Sequence, residues 1–113
     1  MILATKIKSN QILNELAQKF RNSWQVNYQI ALNVNSNAET LNNITHPVYY
    51  KNKQMKKMYN GPIWRNIRLY VVRNPNVSKK TLNWISKFES YWGMDRDEAK
   101  IKLTKLKCQI IFE

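Results

Sequence analysis

Residues 25–34 carry the most regular pattern in the chain, and they constrain its fold most strongly. Five apolar residues alternate with five polar or small ones: Val26, Tyr28, Ile30, Leu32 and Val34 against Gln25, Asn27, Gln29, Ala31 and Asn33. Such alternation places apolar side chains on one face of a pleated strand and polar side chains on the other. The pattern therefore predicts a half-buried β-strand over these residues.

Three further stretches predict strands. Residues 2–8 and 67–72 also alternate between apolar and polar positions, and residues 108–112 form a short, mostly apolar end. The Gly61-Pro62 pair before residues 67–72 and the Asn74-Pro75-Asn76 run after them are turn signals that set the limits of that strand.

Two segments have the spacing of amphipathic helices. Apolar residues at helical intervals predict a helix over residues 11–23, capped by Ser9 or Asn10. A second helix is predicted to begin at Asp95, a good N-cap residue. Its predicted inward residues are Ala99, Leu103 and Leu106.

The order of these elements predicts the fold class. It is strand, helix, strand, strand, helix, strand, which is an α+β, ferredoxin-like split βαβ arrangement (βαββαβ) with a four-stranded sheet and two helices on one face. The 113 residues are expected to form one domain, residues 1–113. Residues 35–60 lose periodicity and are predicted to be an insertion or extended loop, whereas residues 81–94 fit either a helix or a strand.

The net charge of +12 indicates the chemistry of the partner. A small domain with this excess repels itself, and an RNA backbone would relieve that repulsion because each Lys or Arg placed on a phosphate releases a counterion. No apolar run approaches the roughly 20 residues of a transmembrane helix, so no membrane partner is expected. Cys108 is the only cysteine, which excludes an intramolecular disulfide and indicates a reducing, intracellular setting.

Two basic clusters are candidate RNA-binding sites. In the first, cations are interleaved with tyrosines on which an unpaired base could stack; its cations are Lys51, Lys53, Lys56 and Lys57. The second cluster follows the Gly61-Pro62 turn and consists of Arg65, Arg68, Arg73, Lys79 and Lys80.

The sequence offers little for catalysis. His46 is the only histidine, and no nucleophile or second metal ligand is placed beside it by the pattern. Asp95, Asp97 and Glu98 are explained by the first turn of a helix. We therefore expect no enzymatic activity, no cofactor, no metal and no small-molecule substrate.

Two segments resemble the small-subunit ribosomal protein ten family. Gly61-Pro62-Ile63, and then Arg73-Asn74-Pro75-Asn76-Val77-Ser78-Lys79-Lys80-Thr81, resemble that family's strand and its Arg-x-Pro-x-x-x-Lys-Lys-Ser/Thr turn. Thr5-Lys6-Ile7-Lys8-Ser9, followed by a helix, is similar to the family's first strand. In this family an aromatic-Glu pair and a basic strand follow soon after the turn, whereas here Phe88-Glu89 comes late and the residues after it are not basic.

The resemblance implies a structural constituent of the small ribosomal subunit, in its head, that binds ribosomal RNA and neighbouring ribosomal proteins and supports translation. It also implies an extended β-hairpin arm at about residues 57–88, with Arg73, Lys79 and Lys80 at or near the tip and Asn76 in the same RNA-binding motif. The abundance of Asn and Lys, which are read from adenine-rich codons, favours a mitochondrial member, with the cytoplasm of an AT-rich bacterium as the alternative.

Two other functions fit the same sequence. A free-standing RNA-binding module would stack bases on an open sheet face, for which Tyr70 is the candidate in the third strand. A basic interaction subunit of another organellar complex, such as a respiratory complex, would need no RNA.

Overall fold

The computed structural model describes residues 6–45, 61–88 and 93–112, and the regular structure within these ranges is helical, without a strand or sheet. Side chains are described as far as residue 107. Six helices lie within the described ranges: α1 (Asn10–Lys19), α2 (Trp24–Leu32), α3 (Ala38–Thr45), α4 (Pro62–Arg73), α5 (Lys79–Ser86) and α6 (Met94–Phe112).

The predicted α+β, ferredoxin-like fold is therefore wrong for the described residues. Residues 25–34, predicted as a strand, lie mostly in α2, whose buried residues are Asn27, Ile30 and Ala31. This is helical spacing with a polar residue on the inside, where the Asn27 amide donates to the carbonyl of Arg21 at 3.0 Å. Ser23, whose hydroxyl accepts from the N–H of Val26 at 3.4 Å, is the N-cap that the alternation concealed.

The predicted strand over residues 67–72 lies in α4. The buried residues of this helix include Trp64, Ile67, Arg68, Val71 and Val72, which form one continuous helical stripe. Pro62, which we interpreted as a turn residue, stands in the first turn of the helix, where its missing N–H costs nothing. The β-hairpin arm is accordingly absent from the described part of residues 57–88, which forms α4, a turn and α5.

The remaining predicted elements have mixed outcomes. The helix over residues 11–23 is confirmed as α1, which ends earlier and is capped by Ser9. The predicted helix at Asp95 is confirmed as α6, but Asp95 is buried inside the first turn instead of capping it. Residues 108–112 continue α6 and form no strand, and Lys6 to Ser9 form no strand either. Residues 1–5, 46–60 and 89–92 lie outside the described residues.

An internal repeat organises the described helices. The end of α2 and both ends of α3 recur at the end of α4 and both ends of α5, each displaced by the same 41 positions that separate Asn33 from Asn74. Between residues 33 and 44 the sequence repeats with this offset at six positions: Asn33 and Asn74, Asn35 and Asn76, Thr40 and Thr81, Leu41 and Leu82, Asn42 and Asn83, and Ile44 and Ile85. A unit of this length that recurs in tandem is typical of solenoid proteins.

α1 is equivalent to α3 and α5. Each begins with a capping residue, Ser9, Asn37 or Ser78, and each has a leucine four positions later that is 0% exposed: Leu13, Leu41 and Leu82. α3 packs against both α1 and α5, while α4 packs against both α2 and α6. The result is two layers, one of α1, α3 and α5 and the other of α2, α4 and α6, with the core between them.

Asparagine side chains join successive units. Asn33 donates from Nδ2 to the carbonyl of Ile7 at 2.7 Å, and Asn74 donates from Nδ2 to the carbonyls of Ala31 and Asn33 at 3.0 and 2.9 Å. We call these contacts the asparagine ladder. Near the end of α2 they give the carbonyl of Ala31 a side-chain donor and the carbonyl of Asn33 a second donor, in addition to the N–H of Ser36 at 3.1 Å.

The C-terminal end of the ladder is formed by a lysine. Lys102 of α6 donates from Nζ to the carbonyls of Val72 and Asn74 at 2.7 and 3.2 Å. These two carbonyls are the equivalents, one repeat later, of those that Asn74 contacts. The ammonium group therefore caps α4 in the place where an asparagine caps α2.

A buried ion pair fixes α6 beside α4. Arg68 Nε lies 2.7 Å from Asp95 Oδ2, with both side chains 0% exposed, and the guanidinium carbon lies 4.1 Å from the centroid of the Phe88 ring. Glu98, further along α6, pairs with Arg73, further along α4. The two helices therefore run parallel, as the equivalent helices of adjacent repeats do.

Replacing Asn74 with Ala should lower the free energy of unfolding by about 2–3 kcal/mol, because two hydrogen bonds are lost and the carbonyl of the buried Ala31 loses its side-chain donor. Urea unfolding would measure this change. Asn66→Ala is the matched control, since Asn66 is exposed on α4 and Ala has the higher helix propensity. Equal losses in the two variants would show that the ladder does not stabilise the fold.

Candidate nucleic-acid interface

The asparagine ladder aligns the turns of the repeats along one edge of the two layers. The segment before α1 contacts Asn33, and the turn at Asn33 contacts Asn74, so the three turns lie side by side. α2 and α4 end at this edge, and α1, α3 and α5 begin there. We call it the basic edge because of the cations that it gathers: Lys6, Lys8, Arg73, Lys79, Lys80 and Lys102.

Four of these cations are available to a partner. Lys6, Lys8, Lys79 and Lys80 are exposed, and none of them forms an ion pair with another described residue. Glu39, at the position equivalent to Lys80, is the acidic residue of the middle turn. The exposed charge at the two ends of the edge is therefore positive and unneutralised within the described chain.

Lys79 and Lys80 are not explained by the stability of α5. They occupy the first turn of the helix, where the positive end of the helix dipole repels a cation. Ser78 already caps that helix by accepting from the N–H of Thr81 at 3.2 Å. An anionic partner would give this placement a physical reason.

Lys102 differs from the exposed lysines. Burial lowers the pKa of its ammonium group, which is bound to the two carbonyls at the end of α4. Its charge adds to the potential of the basic edge, but the hydrogen bonds hold the group in place. We therefore assign it a structural role.

A row of aromatic and charged side chains crosses the outer face of α2, α4 and α6. The rings of Tyr28 and Tyr70 meet edge to face with centroids 5.2 Å apart, and a hydrogen bond with Tyr70 raises the pKa of Tyr28 above 10.0. Arg73 lies 5.9 Å from the Tyr70 centroid and pairs with Glu98 through contacts of 3.0 and 2.8 Å. This bidentate contact raises the pKa of Arg73 and keeps the guanidinium charged and fixed.

The row ends in a groove between α4 and α6. A cavity of about 340 Å³ is lined by Val72, Arg73, Glu98, Ile101, Lys102 and Lys105. Its wall on α6 comes from positions one, four, five and eight of a helical stripe that begins at Glu98. The groove thus combines aliphatic surface with three cations and one carboxylate, and that carboxylate is already paired with Arg73.

The structure separates the residues of the predicted second cluster. Arg73, Lys79 and Lys80 lie together at the basic edge, whereas Arg65 is half-buried near the start of α4, at the opposite end of that helix. Arg68 is fully buried against Asp95 and is not available to RNA.

Asn76 serves the turn between repeats. Its Nδ2 donates to the carbonyls of Val34 and Ser36 at 2.7 and 2.9 Å. We therefore leave it out of the candidate interface.

Other predicted residues are not placed. Lys51, Lys53, Lys56, Lys57 and His46 lie outside the described residues, and Cys108 lies in α6 with its side chain undescribed. Conversely, no sequence pattern assigned RNA contacts to Lys6, Lys8 or Lys105. The spacing of Glu98, Ile101 and Lys105 could have identified one face of a helix.

Within residues 6–45, 61–88 and the described side chains of α6, no group of three His, Cys, Asp or Glu residues could hold a metal ion. None of the helices seen in those ranges has the length and apolar character needed to cross a bilayer.

Replacing both Lys79 and Lys80 with Ala should leave the free energy of unfolding unchanged or raise it by up to about 1 kcal/mol, because two cations leave the positive end of a helix. Urea unfolding would measure it. Lys19→Ala with Lys87→Ala is the control, since these lysines lie at the C-terminal ends of α1 and α5, where positive charge is favourable. A loss above about 2 kcal/mol in the Lys79 and Lys80 variant would mean that these lysines support the fold.

Comparison with known proteins does not assign this chain to a family. No protein-family model, no curated protein and no solved structure matches the chain. The resemblance to small-subunit ribosomal protein ten thus depends on its quoted residues alone, and the segment from Arg73 to Thr81 forms the end of α4, a turn and the start of α5.

Proposed function

We propose that this chain binds RNA, and that the basic edge provides the contacts to the phosphate backbone. The observation that carries the proposal is the pair of exposed lysines in the first turn of α5, which opposes the helix dipole and forms no ion pair with a described residue. Lys6 and Lys8 extend the same charge to the other end of the edge. Phosphates spaced along a strand complement such a row of separate cations.

The salt dependence of binding tests this proposal. If Lys6, Lys8, Lys79 and Lys80 each contact a phosphate of single-stranded RNA, the log of the association constant should fall with log salt at a slope of about 3. Fluorescence anisotropy with a labelled oligonucleotide at several salt concentrations would give the slope.

Replacing Lys79 and Lys80 with Ala should reduce that slope by about 1 to 2 and weaken binding for any sequence. The Lys19→Ala, Lys87→Ala variant removes the same net charge from the opposite edge and should keep the slope of the unmodified protein. Equal effects in both double variants would show that net charge, and not the basic edge, determines binding.

For the cellular RNA we propose ribosomal RNA in a small ribosomal subunit, with neighbouring ribosomal proteins as further partners and the mitochondrion as the compartment. The motif from Arg73 to Thr81 supports this assignment. The all-helical fold of the described residues removes the β-hairpin arm that the resemblance implied, so the basic edge would make the contact instead. Sedimentation of cell extracts separates the possibilities: co-migration with the small subunit supports the assignment, whereas migration with other RNA or without RNA contradicts it.

A further inference from the structure

The outer face of α2, α4 and α6 presents chemistry that differs from that of the basic edge. The basic edge supplies point charges for phosphates, which single-stranded and duplex RNA both present. The aromatic and charged row, by contrast, presents flat groups. It therefore favours the one form of RNA whose bases are unpaired and exposed.

Arg73 is the central group of this row. Glu98 occupies the edge of its guanidinium through Nε and Nη2, at 3.0 and 2.8 Å, so the faces of the plane are not used by that contact. The side chain is 51% exposed, and Tyr70 lies on one side of it. A guanidinium plane held in this way is a ready surface for a base, since bases stack on Arg planes as they do on aromatic rings.

The groove beside Arg73 fits a single nucleotide. Its volume of about 340 Å³ is near the small end of the range for ligand pockets, and it is bounded by α4 and α6. Ile101 gives it an aliphatic wall that is 55% exposed, and Lys105 gives it an exposed cation one helical turn further on. One ring and one phosphate can be accommodated together, whereas a rigid duplex would be held outside.

We propose that this groove takes an unpaired nucleotide of single-stranded RNA, with the base stacked on the Arg73 guanidinium and the phosphate on Lys105. This inference depends on the proposed function and specifies its substrate as single-stranded. The Tyr28 and Tyr70 pair continues the row toward α2, where the next base along the strand would lie.

Binding of a single-stranded 12-nucleotide RNA and of the corresponding duplex, by the full chain, tests the inference. Arg73→Lys keeps the charge but removes the plane, and it should weaken single-strand binding roughly tenfold, the size of one stacking contact, with little change for the duplex or in the salt slope. A 2-aminopurine base in the oligonucleotide should lose its fluorescence quenching in this variant.

A second variant keeps both Arg73 and Glu98. Ile101→Glu places a negative charge on an exposed position of the groove, so it should fold normally and also weaken single-strand binding selectively. The Lys79→Ala, Lys80→Ala variant is the contrasting control, because it should weaken single-stranded and duplex binding alike and retain the quenching.

The outcomes distinguish the two proposals. Equal loss on single strand and duplex, or no loss, in both Arg73→Lys and Ile101→Glu would overturn the groove inference while leaving the basic edge as an RNA site. A competition experiment adds a further outcome. If a poly-glutamate peptide displaces the 2-aminopurine RNA at the same concentration as an unlabelled RNA does, the groove inference would be overturned in favour of an acidic protein partner. Failure of the unmodified protein to bind either RNA would overturn the proposed function itself.

Discussion

Asn74 connects two successive repeats, because its side-chain amide donates to two backbone carbonyls at the end of α2. A helix end that is packed inside a protein leaves carbonyls without partners, and each would carry a free-energy penalty. Here α2 ends against the next repeat, where the asparagine gives a donor to the carbonyl of Ala31 and a second donor to the carbonyl of Asn33, which also accepts from the N–H of Ser36. Asn74 itself accepts from the N–H of Asn76 at 3.0 Å through Oδ1, which folds the turn that starts α5.

Threonine side chains make the corresponding connection within the other layer. Thr40 of α3 reaches Asn14 of α1 at 3.4 Å, and Thr81 of α5 reaches Asn42 of α3 at 2.7 Å. Both layers are thus held by short polar side chains at repeated positions, while leucines fill the space between them. The alignment of the turns, and with it the gathering of lysines at one edge, follows from these contacts.

The sequence predicted those parts of the fold in which local pattern and tertiary packing agree. α1 was predictable because apolar residues occupy its buried stripe, and the inner face of α6 was predictable from Ala99, Leu103 and Leu106, which belong to the core or pack against it. α2 was not predictable, because its buried stripe includes the polar residue Asn27. When Asn27 is taken for an exposed residue, the remaining apolar residues alternate as they would in a strand. The repeat could not be predicted from hydrophobic periodicity, because it appears only when segments 41 positions apart are compared.

The candidate site shows the same limits. Arg73, Lys79 and Lys80 are close in the chain and stay close at the basic edge in a fold quite different from the predicted one. Arg68 was predicted to bind RNA because it belongs to a basic cluster. Its partner in the structure, Asp95, lies 27 positions later, and no local pattern indicates that pairing. The groove could not be predicted from the sequence, because it exists only where α6 runs parallel to α4. That arrangement depends on pairs of residues from separate helices.

Lys102 gives the repeat array a direction. In the earlier units the asparagine that caps the preceding helix also begins a turn, so the chain reverses there, whereas Lys102 caps α4 from the middle of a 19-residue helix that continues unbroken. About 15 Å of α6 extends beyond the point where α2 and α4 end. A further unit added after α6 would find the acceptor carbonyls of Val72 and Asn74 already taken. An equivalent unit inserted between α1 and α4 would therefore leave the contact of Lys102 with the helix before it unchanged.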